Sequence, residues 1–223
     1  MSKYSIYIIC KDMEIFDEKV EMFQKYKSKI CDIYWVPAVF LKSTPCNRNL
    51  TKKLNTRYNT SKNSKLKKLG CVSAHRDALL SIINHDTNNS LILEQDATLD
   101  GTLPKIPKDT CYMGGWIIPP QITLAGKVKP KVNPKRNTLN DIHYDKFKIL
   151  MAHAYFLKTV KDAKELLDST LEPEKIKNYD VHLIDQQFIK KFYYPAVFVQ
   201  SKHISDFDGK VNKNDTYTKN YGL

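Results

Sequence analysis

Short runs of β-branched and aromatic residues alternate along this chain with segments whose apolar residues recur at helical spacing, and that alternation limits the folds open to it. The run Tyr4–Cys10 predicts a buried first strand, and Ile15, Phe16, Val20 and Phe23 then share a helical face. Ile33 to Phe40 predicts a second strand. Cys71, Ala74, Ala78, Leu79, Ile82 and Ile83 mark one face of a helix from about Val72 to Asn84, which stops in the turn-forming stretch His85-Asp86-Thr87-Asn88-Asn89. Leu91-Ile92-Leu93 reads as a short buried strand, and Cys111–Ile118, Ile149–Leu157 and Tyr193–Gln200 as later ones. Val160, Ala163, Leu166 and Leu167 predict a helix between them. The expectation is one α/β domain with a mostly parallel central sheet flanked by helices.

The 223 residues suit a single domain, and 42% hydrophobic composition is enough to bury a core. No apolar run approaches the ~18–20 residues that cross a bilayer, and Ile6–Cys10 is too short for the core of a signal peptide. Five scattered cysteines without a C-x-x-C pair argue against a disulfide framework and a structural zinc site. A cytoplasmic protein is expected, in the host cytoplasm if the source is viral; a bacterial or large-virus setting suits the composition.

The net charge of +12 is concentrated in two stretches. Residues 42–70 hold nine Lys or Arg and no acid, and 127–136 hold five more; the rest of the chain carries 22 basic against 24 acidic residues. Both stretches read as surface loops, open to phosphates or acidic ligands or else simply solvated. Lysine outnumbers arginine 32 to 4, which disfavours nucleic acid as the partner, because base readout favours the planar guanidinium.

One strand ends in chemistry. Leu91-Ile92-Leu93 runs into Glu94-Gln95-Asp96, and strand alternation would point Glu94 and Asp96 the same way and Gln95 opposite. Two converging carboxylates need a cation or a proton between them, and Mn²⁺ or Mg²⁺ suits such oxygen ligands; a solvated acidic turn is the other reading.

Around this strand the chain resembles glycosyltransferase family 25, the lipooligosaccharide and procollagen galactosyltransferases. Gly70, Cys71 and His75 match its Gly-Cys-x-x-Ser-His segment, with Ala74 in place of Ser; Leu93, Glu94 and Asp96 match its Leu-Glu-Asp-Asp, with Gln95 in place of the first Asp. Ala152-His153-Ala154-Tyr155-Phe156-Leu157, Asp162-Ala163 with Leu166-Leu167, Tyr179-Asp180-Val181, Tyr194-Pro195 and Gln200 through Ser205-Asp206 follow in order. The resemblance implies a GT-A (Rossmann-like) domain over residues 1–209, followed by a polar tail, 210–223. It also implies inverting transfer of a sugar, galactose or glucose, from a UDP-sugar to a hydroxyl on a glycan, a lipid-linked glycan or a protein. The ion would be held by Glu94, Asp96 and a late histidine, His203, for which a plain surface role is the alternative.

An inverting transfer needs a base on the acceptor hydroxyl. Asp180 and Asp185 are the candidates on a helix whose buried face reads as Val181, Ile184 and Phe188; Asp180 could instead be its N-cap. His75 reads either as a nucleotide contact or as a buried structural histidine. Tyr7, Tyr34 and Trp35 near strand ends could stack on uracil or pack in the core. Gly115 and Trp116 would border the donor sugar or acceptor. A non-catalytic glycan- or nucleic-acid-binding protein on a degenerate transferase fold is the competing expectation, carried by the departures at Ala74 and Gln95; a nucleotidyltransferase is disfavoured for want of a Gly-rich phosphate loop.

Overall fold

A computed structural model describes residues 2–41, 62–121, 130–150, 152–172, 176 and 178–200. Strand β1 (Tyr4–Cys10) is buried at every position, which its nearly continuous apolar sequence allows. Asp12 caps α1 (Met13–Met22) by accepting the Ile15 N–H, and 3-10 turns over Gln24–Lys29 lead into β2 (Ile30–Pro37). Helix α2 (Lys62–Asn84) carries the chain to β3 (Ser90–Glu94). Then follow β4 (Ala97–Leu99), β5 (Cys111–Tyr112), β6 (Trp116–Ile118), β7 (Thr138–Asp141), β8 (Lys148–Leu150) and β9 (Ala154–Leu157). Helices α3 (Val160–Asp168) and α4 (Tyr179–Asp185) and strands β10 (Lys191–Tyr194) and β11 (Phe198–Gln200) complete the order.

The α/β class holds, with a seven-stranded sheet in the order β2-β1-β3-β9-β5-β10-β7. The expectation of a mostly parallel sheet does not. β1 runs parallel to β2 and β3, and β5 to β10, but β9 is antiparallel to both β3 and β5, and β7 to β10. β5, reached from β3 without a helix among the described residues, still runs parallel to β3, since both are antiparallel to β9 between them. β9 enters between them at the end where both leave.

Three runs expected as single strands are each divided. The first breaks at Gly114-Gly115, where Gly115 takes φ +137°: β5 stays in the main sheet and β6 pairs with β8. The run Ile149–Leu157 becomes β8 and β9, and Tyr193–Gln200 becomes β10 and β11 on either side of Pro195, which has no N–H to give a ladder. β11 pairs with β4 beside the acidic strand end.

Helix α2 starts at Lys62, ten residues before the expected point, so 62–70 of the basic stretch is helical and not loop. Leu66, Leu69 and Val72 are buried at helical spacing, an apolar face obscured in the sequence by the lysines around it. Gly70 lets this helix pass close to the chain after β2, since a Cβ there would sit 2.2 Å from the Val39 carbonyl oxygen. Residues 130–136 of the second basic stretch do form a loop with no regular strand until β7. Residues 42–61 and 127–129, His203, the boundary near 209 and the tail 210–223 lie outside the described residues.

Each sheet face has its own core. Tyr7, Ile9, Ile92, Tyr155 and Phe192 pack with Ala78, Leu79, Ile82, Ala163, Leu166 and Leu183 from α2, α3 and α4. On the other face Tyr4, Ile6, Ile8, Leu91 and Phe156 pack with Phe23, Tyr26 and Phe198. Thr159 and Asp162 close a capping box on α3. No helix among the described residues is long and apolar enough to cross a membrane.

Candidate metal and acid site

The carboxyl end of β3 gathers the ionisable groups that the sequence singled out. Alternation along β3 turns Glu94 toward α2, and there the His75 ring meets it, with Nε2 2.9 Å from Glu94 Oε1. His75 is 1% exposed and is held on three sides. Its Nδ1 lies 3.1 Å from the Tyr155 hydroxyl, that hydroxyl lies 3.1 Å from the Tyr179 hydroxyl, and its ring stacks on Tyr179 with centroids 4.0 Å apart. Burial pushes the Glu94 carboxyl up, but the hydrogen bond and charge of His75, with the field of His153, outweigh it and leave the group below its ordinary value.

Asp96 is not part of a strand. β3 ends at Glu94, and Gln95-Asp96 form the turn into β4, so strand alternation does not orient Asp96. The turn nonetheless keeps it within the field of Glu94. Burial first and then Glu94 raise the Asp96 carboxyl; His153, a hydrogen bond of 2.5 Å from Gln200 Nε2 and the ammonium of Lys19 oppose them. Lys19 reaches in from α1, 8% exposed, and donates to the Ala97 carbonyl at 2.8 Å. The Gln95 side chain goes elsewhere, accepting the Lys11 N–H at 3.2 Å.

The two candidate bases separate. Asp180 stands in the first turn of α4, and the cap position belongs to Asn178, so Asp180 is not the N-cap; it accepts the Val181 N–H at 2.8 Å. Burial pushes its carboxyl up to about 6, with Glu94 adding to the rise and the Val181 and Asp180 N–H groups and His75 opposing it. Asp180 therefore shares the field of the β3 end. Lys68 on α2 lies within its attraction as well. Asp185 is exposed at the far end of α4, where it influences His182. The buried face of α4 is Tyr179, Leu183 and Ile184, and Val181 and Phe188 are only half-buried.

Tyr7 is fully buried at mid-strand, stacked on Tyr34 with centroids 4.8 Å apart and bonded to Thr87 at 2.6 Å, so it belongs to the core. Trp35 keeps 39% exposure near the strand ends and donates Nε1–H to the Cys10 carbonyl at 3.2 Å. Gly115 is buried and Trp116 half-buried where the chain crosses from β5 to β6. Next to them Gly114 packs so closely that a Cβ would lie 2.5 Å from both His153 Nε2 and the Phe198 carbonyl oxygen.

Structure thus brings together Glu94, Asp96, His75 and Asp180, and adds Cys71, His153, Tyr155 and Tyr179, which the sequence reading had left as packing or motif matches, and Lys19, which it had not singled out. Cys71 precedes His75 by one helical turn, so the i, i+4 spacing was a readable signal. His153 was hidden, because only the antiparallel register of β9 against β3 sets its backbone carbonyl 2.9 Å from the Glu94 N–H. The chain matches no protein-family model and no curated protein.

Proposed function

We propose that the chain is a metal-dependent, inverting glycosyltransferase of the GT-A type that moves a hexose, galactose or glucose, from a UDP-sugar to a hydroxyl acceptor. The observation that carries this is the pair Glu94 and Asp96 at the carboxyl end of a central strand, with a third carboxylate, Asp180, in the same field. Ligands of open α/β sheets bind at such strand ends.

The residues fit a hard divalent ion. Burial first and then the charge of Glu94 raise the Asp96 carboxyl, and a cation beside the two would relieve the repulsive part. Both offer oxygen, the donor preferred by Mn²⁺ and Mg²⁺. When bound, the ion supplies a positive charge that neutralises the departing diphosphate.

The protein's own groups do the rest. His75 fixes Glu94, while Gln200 and Lys19 steady Asp96. Lys68 adds a cation near Asp180 for an incoming phosphate. Asp180 takes the acceptor proton in this reading, and Asp185 does not. A carboxyl titrating at about 6 is ionised at neutral pH and still more basic than a surface aspartate. The acceptor class (a glycan, a lipid-linked glycan or a protein hydroxyl) and a cytoplasmic setting belong to the same proposal.

The test is UDP release from UDP-galactose and UDP-glucose with Mn²⁺, with and without simple glycoside acceptors. Activity that needs Mn²⁺ and falls at least a hundredfold in both Asp96→Asn and Asp180→Asn supports the proposal, since such base and charge contributions are worth ~10²–10⁴. Equal turnover in wild type and both variants overturns it.

A further inference from the structure

We propose that Cys71, His75 and Glu94 form a binding site for a thiophilic divalent ion of the zinc class, distinct from the all-oxygen site and sharing Glu94 with it. Cys71 Sγ, a His75 ring nitrogen and a Glu94 carboxylate oxygen all lie within 4.8 Å of one another, and the last two are 2.9 Å apart. In a tetrahedral zinc site with bonds of ~2.0–2.3 Å the ligand atoms stand roughly 3.5 Å apart, so small side-chain rotations suffice. One sulfur, one nitrogen and one oxygen donor leave a fourth position open to water, the pattern of reactive rather than purely structural zinc sites.

Two features beyond proximity support the assignment. A metal-bound imidazole ordinarily uses its second nitrogen to hold its orientation, and His75 has that partner in place, Nδ1 beside the Tyr155 hydroxyl and Tyr155 beside Tyr179. The stacked Tyr179 ring stops His75 from swinging away. The donor chemistry also discriminates: a thiolate selects zinc over magnesium, calcium or manganese. Cys71 is a free thiol held protonated by burial and by the carboxylates of Glu94, Asp180 and Asp96, so binding sends one thiol proton to solvent as the Cys71–metal bond forms.

Glu94 cannot serve both ions in the same geometry, so a thiophilic ion withdraws it from Asp96 and antagonises Mn²⁺. This consequence rests on the transferase proposal; the binding itself does not.

The experiment uses the full chain carrying Cys31→Ser and Cys46→Ser, titrated with Co²⁺. A near-ultraviolet thiolate-to-cobalt band that saturates at one equivalent, is displaced by Zn²⁺ and is lost in Cys71→Ser is the expected result, with Zn²⁺ affinity at least tenfold weaker in that variant. No band, or a band that persists without Cys71, overturns the inference. Should Cys71→Ser fail to fold, zinc X-ray absorption on the parent chain decides the matter: one sulfur bound to zinc is expected, and none contradicts the site. A parallel melt with Mn²⁺ and UDP separates the two proposals. Stabilisation by Mn²⁺ and UDP without a cobalt band overturns the zinc site alone, and a cobalt band without any UDP effect overturns the transferase alone.

Discussion

His75 reaches across from α2 to hold Glu94 at the end of β3, through 2.9 Å between Nε2 and Oε1, from a ring that is 1% exposed. Removing the ring in His75→Ala strips the carboxylate and the Tyr155 hydroxyl of a partner and opens a void against Tyr179. Denaturant unfolding is expected to show a loss of about 2–4 kcal/mol. The acid limb gives a second readout. Because the folded Glu94 value is depressed, its contribution is present above the ordinary carboxylate range and is lost as pH falls through the depressed value. The stability gap between wild type and His75→Ala should therefore narrow as pH falls through the depressed Glu94 value, because the variant no longer has that contribution to lose.

Asp180 has the opposite sign. Its folded value of about 6 stands above that of the unfolded chain, so stability is greatest below the unfolded value and declines as pH rises through about 6. Asp180→Asn keeps an oxygen for the Val181 N–H but carries no charge. Unfolding at about pH 8 should find the variant more stable than wild type by on the order of 2 kcal/mol, with the difference vanishing near pH 4. Lower stability of the variant at both pH values would show that its carboxylate is not strained by burial.

Gly70 should reverse an ordinary rule. Gly to Ala inside a helix usually stabilises by ~1 kcal/mol. Here the new methyl meets the Val39 backbone oxygen at 2.2 Å, and backbone cannot rotate aside. Gly70→Ala is expected to lower stability by about 1–3 kcal/mol, measured by thermal melting. Gly114→Ala should behave alike, because its methyl would press on His153 and Phe198 together.

Lys19→Met leaves the Ala97 carbonyl without its ammonium and Asp96 without a neighbouring cation. About 1–3 kcal/mol of stability should be lost. The deficit should widen as pH rises through the raised value of Asp96, where the carboxylate that Lys19 stabilises becomes charged. Unfolding curves at about pH 4 and pH 8 measure this directly.

The parts of the fold set by local pattern were readable. Tyr4–Cys10 is apolar on both faces and reads as a covered strand, and Val160, Ala163, Leu166 and Leu167 at helical spacing announce α3. What could not be read is whatever depends on how distant segments meet. The direction of β9, antiparallel to both of its neighbours, is not written in its own residues, and with it goes the place of His153. Lys-rich sequence hid the first turns of α2, because Leu66 and Leu69 are too sparse to declare a face without their partners. Glu94 and Asp96 were correctly placed at a strand end, but strand alternation is not what orients Asp96; a turn does that. Cys71 was visible as a residue and not as a ligand, because its relation to Glu94 spans two elements.

The proposal that the β3 carboxylates hold an ion and a nucleoside diphosphate is tested most directly by thermal melting with Mn²⁺ and a panel of UDP-sugars, on wild type and Asp96→Asn. Ligand at 100 times its Kd should stabilise by roughly 2.7 kcal/mol, a rise of several degrees in Tm. The expected result is a shift that requires both Mn²⁺ and the UDP-sugar and is absent in Asp96→Asn. A Tm that no UDP compound moves, or one that moves equally in the variant, would contradict it.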